Sequence, residues 1–241
     1  MELRQVALEV ARILQDAGKH ALNDQMNPRD LKSFEMTDNH LSFTSDIDKR
    51  LAQFISNRIT YVDVFDGFWQ FRPEECHPGE RYWCVGGIDG AINFVRSMPE
   101  WTITVSLFEF NDQCSAQPIL SVVHAPALGL TYLALGDKRE KIMPSTTPSL
   151  DYAVVSFGMS HVPEESKRAL EVVSRISGRP ADIKRVGPSS LDLCKVADGT
   201  YDAYFEAHLH KWDVPAVSAG AVVVWEAQGH LSRWNGDLVH W

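Results

Sequence analysis

Four short segments gather acidic and small residues where a strand gives way to a loop or a helix: SFTSDID (42–48), PEEC (73–76), GGIDGAINF (86–94) and HLHKWDVPA (208–216). Their carboxylates are Asp46, Asp48, Glu74, Glu75, Asp89 and Asp213, of which Asp48, Glu74, Asp89 and Asp213 are the candidates for chemistry. An acid at a helix start has an everyday use, accepting the free N–H groups of the first turn for about 1 kcal/mol. Carboxylates are also the ligands that hard divalent cations select. Gly86-Gly87 reads as a tight strand-to-helix turn. The stretch Gly86 to Ala91 could then aim backbone N–H groups at a phosphate from a helix N-terminus. His208 and His210 flank Leu209 as an i, i+2 pair, but no further Cys or His follows at ligand spacing, which argues against zinc. Cys76, Cys84, Cys114 and Cys194 form no CxxC pair and read as reduced thiols.

The elements that must position these groups follow from periodicity. Leu3, Val6, Ala7, Val10, Ile13, Leu14 and Ala17 recur at helical spacing and predict an amphipathic N-terminal helix. Asp48 stands near the start of a second such pattern, with Leu51, Phe54, Ile55 and Ile59 on one face. Residues 60 to 82 fit neither period and read as a strand followed by an irregular loop. The β-branched and apolar runs 101–110, 119–124 and 130–135 predict an antiparallel meander. A polar stretch, 136–149, is the best candidate for a subdomain boundary. Beyond it strands and helices alternate: strand 152–157, helix 163–178, strand 183–186, helix 189–197, strand 201–207 and helix 214–227. The expectation is an N-terminal α+β half, 1–145, and a C-terminal α/β half, 146–241.

Composition narrows the partners. The 241 residues carry 23 Lys and Arg against 32 Asp and Glu, a formal charge of −9, with no basic stripe to neutralise successive phosphates. A nucleic-acid polymer is therefore not an expected partner. A chain of this size buries a real core without disulfides or a structural metal. The opening MELRQVALEVARILQDAGKH has charges throughout and reads as neither a signal peptide nor a membrane span, so a cytoplasmic location is the expectation.

Taken in order, the four segments resemble the inositol monophosphatase family, Mg²⁺-dependent and lithium-sensitive phosphatases that include fructose bisphosphatases and phosphoadenosine-type nucleotidases. Ile88-Asp89-Gly90, Asn93-Phe94, Pro99, the strand Thr102 to Leu107, His124-Ala125-Pro126, Gly187 to Gly199 and the tail Tyr201 to Gly229 carry the likeness, which spans nearly the whole chain. It implies a layered αβαβα sandwich, a small phosphorylated metabolite as substrate (an inositol, sugar or nucleotide monoester) and a homodimer. Chemically, such a site needs carboxylates that hold Mg²⁺, or Mn²⁺, against a phosphate, and a hydroxyl paired with a carboxylate to activate water.

Residue by residue, the resemblance assigns Asp89 and Asp213 as metal ligands and Glu74 as a further one, with Asp66 competing for that role. It assigns Asp48 as the water-activating carboxylate. Gly90, Ala91, Gly187, Ser189 and Glu206 become substrate contacts, Ser190 lying in the same segment as Ser189. Two family groups are missing. The family motif Asp-Pro-Ile/Leu-Asp-Gly-Thr/Ser is here Gly86, Gly87, Ile88, Asp89, Gly90 and Ala91, so a metal-bridging Asp has become Gly86 and the water-polarising hydroxyl has become Ala91. Weak or partial metal occupancy is expected. Two functions then compete: a divergent phosphatase, or a pseudophosphatase that binds a phosphorylated ligand or a protein partner without turnover.

Overall fold

The computed structural model describes residues 2–25, 35–36, 43–44, 46–69, 72–135 and 142–241. Helix α1 (Leu3–Gln25) buries the apolar stripe the sequence predicts, Val6, Ala7, Val10, Ile13, Leu14 and Ala17. After β1 (Glu35–Met36) and β2 (Phe43–Thr44), α2 (Asp46–Ile59) turns Leu51, Ile55 and Ile59 into the same cluster. Both helices cover one face of a five-stranded sheet ordered β3 (Gly67–Phe68), β4 (Arg81–Asp89), β5 (Thr102–Phe110), β6 (Ala116–Ala125) and β7 (Leu130–Ala134). The β3–β4 pair is parallel and the others antiparallel, so the expected meander is β5–β6–β7.

Central strand β5 explains why this sheet is sandwiched. Side chains alternate across a strand, and Ile103, Val105 and Leu107 enter the cluster beneath α1 and α2. The alternate residues Thr102 and Ser106 meet α5 (Ser189–Ala197) and α6 (Val214–Glu226) on the other face. Thr102 Oγ1 lies 2.6 Å from Ser190 Oγ, and Ser106 Oγ lies 2.8 Å from Ser218 Oγ. These pairs satisfy hydroxyls that burial would otherwise leave without partners. Helix α6 is buried on nearly every side and uses small residues to approach its neighbours. A Cβ on Gly220 would come within 2.7 Å of Leu193.

The second sheet is parallel, ordered β10 (Ala203–Phe205), β8 (Val154–Phe157) and β9 (Asp182–Lys184). Helix α4 (Pro163–Ile176) connects β8 to β9. The layers are therefore α1/α2, the large sheet, α5/α6, the small sheet and α4. The expected division near residue 145 falls between the two sheets, and Val123 and Ala134 of the first half share an apolar cluster with Leu193 and Val217 of the second. Residues 136–141 of the expected linker lie outside the described residues.

One element departs from the sequence reading. Gly86-Gly87 is not a strand-to-helix turn but a bulge inside β4, where the register with β5 shifts between Val85 and Ile88. The strand runs on to Asp89, and the turn is made at Gly90, whose φ of 88° no β-branched residue would adopt cheaply. Ala91 then opens α3 (Ala91–Val95).

Candidate active site

A cleft of about 380 Å³ opens where the end of β4, the starts of α5 and α6, and the segments after β8 and β10 converge. It is lined by Asp48, Asp89, Gly90, Ala91, Gly187, Ser189, Glu206 and Asp213, eight of the nine residues singled out from the sequence. Asp192, Arg185, His161, His208 and His210 line it too.

The carboxylates shape its electrostatics. Asp89 Oδ2 accepts hydrogen bonds from the Ser190 N–H (3.1 Å) and hydroxyl (2.5 Å). Burial, with the charge of Asp213 adding to it, still lifts the Asp89 carboxyl to about 6, because desolvation outweighs those two bonds. Asp192 lines the cleft from α5 with no solvent exposure, near the Ser156 hydroxyl and the Gly187 backbone. Burial, opposed by Lys195 and reinforced by Asp89, pushes it up to about 7. Glu206 is raised to about 7 by burial and by Asp213, Asp89 and Asp192, although the Tyr204 hydroxyl donates to its Oε2 at 2.7 Å. Asp213 is raised by burial while its Oδ2 accepts the His210 N–H at 2.7 Å. All four carboxyls are thus raised chiefly by burial, with neighbouring acids adding to the effect at Asp89, Asp192 and Glu206.

The opposite wall has closed around the two glycines. Asp48 Oδ1 accepts the Ile88 N–H at 2.6 Å, and burial raises this carboxyl above its ordinary range. A Cβ on Gly87 would lie 1.6 Å from that oxygen, and one on Gly86 would lie 2.2 Å from Thr104 Oγ1 and 3.2 Å from Pro215 Cβ. The space of a side chain at 86 or 87 is taken by Thr104, Pro215 and Asp48.

Glu74 is the exception among the expected residues. It is exposed and absent from the cleft. Its neighbours Arg72 and Cys76 contact Cys114 at the hairpin joining β5 to β6. That hairpin is eight residues along β5 from the cleft end, about 26 Å at strand rise. Asp66 is equally displaced, its Oδ2 accepting the Arg81 N–H at the far end of β4. Adjacency of acids in PEE misled the sequence reading, because the chain after β3 runs away from the cleft. Asp192 and Glu165 were missed in turn, each looking like an ordinary acid in the first turn of a helix.

The fold and the cleft together define a sandwich of the sugar- and inositol-phosphatase type with an acid-rich centre. The chain matches the sequence profile of the Inositol monophosphatase family over residues 2–241 and belongs to that family. It is 28% identical over 205 residues to the inositol-1-monophosphatase of Rhizobium meliloti, spanning 81% of this chain and 72% of that protein. It is 32% identical over 163 residues to the fructose-1,6-bisphosphatase/inositol-1-monophosphatase of Thermotoga maritima, spanning 66% of this chain but only 59% of that relative. In three dimensions it resembles the Thermotoga maritima IMPase TM1415 with a TM-score of 0.75 at 24% identity, covering 95% of this chain and 85% of that one. Among the described residues no helix is long and apolar enough to cross a membrane.

Proposed function

We propose that the chain is a Mg²⁺-dependent phosphatase of small phosphorylated metabolites, an inositol, sugar or nucleotide monoester, with one divalent ion where the family pattern calls for more. The observation that carries this reading is the convergence of Asp89, Asp192, Glu206 and Asp213 in one cleft, each binding its proton more tightly than an isolated acid. Their all-oxygen chemistry suits Mg²⁺ or Mn²⁺. Asp89 and Asp213 would hold the ion, and Asp192 adds a buried charge behind Asp89. When bound, the metal supplies Lewis-acid polarisation of the phosphate. Asp48, raised by burial, is the base that takes a proton from the attacking water. Glu206, steadied by Tyr204, accepts substrate hydroxyls, and Arg185 supplies a guanidinium to the phosphate. Gly90, Ala91, Gly187 and Ser189 bring backbone close to the ligand. A homodimer, as the resemblance implies, belongs to this reading, with no nucleic-acid polymer as a partner.

The test is hydrolysis of a panel of phosphate monoesters with and without Mg²⁺, beside calorimetric titration of Mg²⁺. Metal-dependent turnover supports the reading, and turnover in chelator at the same rate overturns it. A second reading is favoured by the closed wall at Gly86 and Gly87: a pseudophosphatase that binds the same ligands without hydrolysing them. Ligand binding with no turnover under any metal would select it.

A further inference from the structure

The histidine pair that the sequence left without a third ligand acquires one in the fold. Glu165, 43 positions before His208 and on the first turn of α4, brings its carboxylate against both imidazoles. Its Oε2 lies 2.9 Å from His210 Nε2 and its Oε1 lies 3.6 Å from His208 Nε2. One ligand atom from each of the three residues falls within 4.8 Å of the others. Spacing i, i+2 on an extended segment puts both imidazoles on one side. The rings are 4.5 Å apart between centroids. His210 is further clamped by stacking on Trp212 at 4.2 Å and 10°. Glu165 and His210 are mostly buried, at 15% and 17% side-chain exposure, while His208 is half exposed at 47%. That gradient leaves an entry from solvent.

We propose that Glu165, His208 and His210 form a zinc site on the rim of the cleft, separate from the carboxylate cluster. The ligand chemistry decides the ion. Two imidazoles and one carboxylate match the three protein ligands of an open zinc site, with bonds of about 2.0–2.2 Å. Ligands at such bond lengths in a tetrahedron stand about 3.3–3.5 Å apart, and the two Glu165–imidazole separations of 2.9 and 3.6 Å bracket that value. Mg²⁺ selects oxygen and keeps its water, so it competes poorly here. His208 and His210 both line the cleft, so an ion held there would lie at its rim. Asp213 borders the site through its bond to the His210 N–H, which fixes the backbone that presents the imidazole. The proposal does not depend on phosphatase activity.

Competition against a chromogenic zinc chelator measures it. The background carries Cys76→Ser, because Cys76 and Cys114 adjoin each other and a thiol pair would also take zinc. The expected result is one Zn²⁺ per chain, with affinity lowered at least about tenfold by His208→Ala or Glu165→Gln, unchanged within about twofold by Asp89→Asn, and not displaced by millimolar Mg²⁺. Co²⁺ in place of Zn²⁺ should give visible d–d bands that vanish in His210→Gln, with circular dichroism confirming that each variant is folded. Zinc affinity indifferent to both His208→Ala and His210→Gln would overturn the proposal. So would the absence of binding at about 100 µM zinc. Either result would leave Glu165 and His210 as an ordinary hydrogen-bonded pair.

Discussion

The two walls of the cleft have met the loss of family groups in opposite ways. On the β4 wall, Gly86 and Gly87 stand where the family pattern has Asp and Pro, and the space is filled by Thr104, Pro215 and the Asp48 carboxylate. Across the cleft, Asp89 at the end of β4, Asp192 of α5, Glu206 after β10 and Asp213 just before α6 still share one pocket, and burial raises each carboxyl. The lesson is that a missing ligand is not a hole: one wall has repacked around its absence, while the other keeps a charge density that only a cation or a proton relieves.

The largest expected effect therefore lies on the acidic wall. Asp89→Asn or Asp213→Asn should lower Mg²⁺-dependent hydrolysis by at least about 10²-fold, and Asp48→Asn by about 10²–10⁴-fold as the loss of a general base. Steady-state rates on the best substrate of the panel check this. Turnover untouched by all three would move the chemistry to other residues.

The β4 wall gives the next effect. Gly87→Ala forces Asp48 off the Ile88 N–H, and overpacking of this kind costs about 1–3 kcal/mol. For a chain of this size that lowers the melting temperature by roughly 2–12 °C. Gly86→Asp alone should destabilise likewise. Combined with Thr104→Ala, which removes the clashing hydroxyl, and with Ala91→Thr, it should raise hydrolysis at least about tenfold. If the triple variant is stable and no faster, the pseudophosphatase reading gains.

The dependence on pH is gentler. Asp89, Asp192 and Glu206 have folded values of about 6, 7 and 7, all raised above ordinary carboxylates. Raised acids stabilise the fold fully below about pH 4, and that contribution is lost as pH climbs through 6 to 7. In chelator, thermal stability should therefore fall between pH 4.5 and 8. Millimolar Mg²⁺ should restore it at the alkaline end, and Asp192→Asn should flatten the slope. A metal-free stability that rises over this window would contradict the raised carboxyls of the cleft. The smallest effect belongs to Glu74→Gln, which should change Mg²⁺ affinity by less than about twofold because the residue is exposed and outside the cleft.

Much of the fold was legible because its elements are strongly periodic. The stripe of α1, the run Ser189–Ala197 of α5 and the apolar length of α6 announce themselves within a few turns of chain. What failed was whatever depends on partners distant in sequence. Two adjacent glycines look like a turn until β5 is seen to pair on both sides of them, which makes them a bulge. Asp192 looks like a first-turn helix acid, and only its burial in the fold, with Asp89 nearby, makes its charge costly. His208 and His210 look incomplete because their third partner sits on another element. Glu74 erred the other way, since local sequence offered acids that the path of the chain carries off the site.

The most direct test of the central claim is calorimetric titration of Mg²⁺ into the metal-free protein and its Asp89→Asn variant. One weak site per chain, lost in the variant, is the predicted result. Two or more tight sites, or binding that survives Asp89→Asn, would contradict the claim that the metal chemistry has contracted onto Asp89 and Asp213.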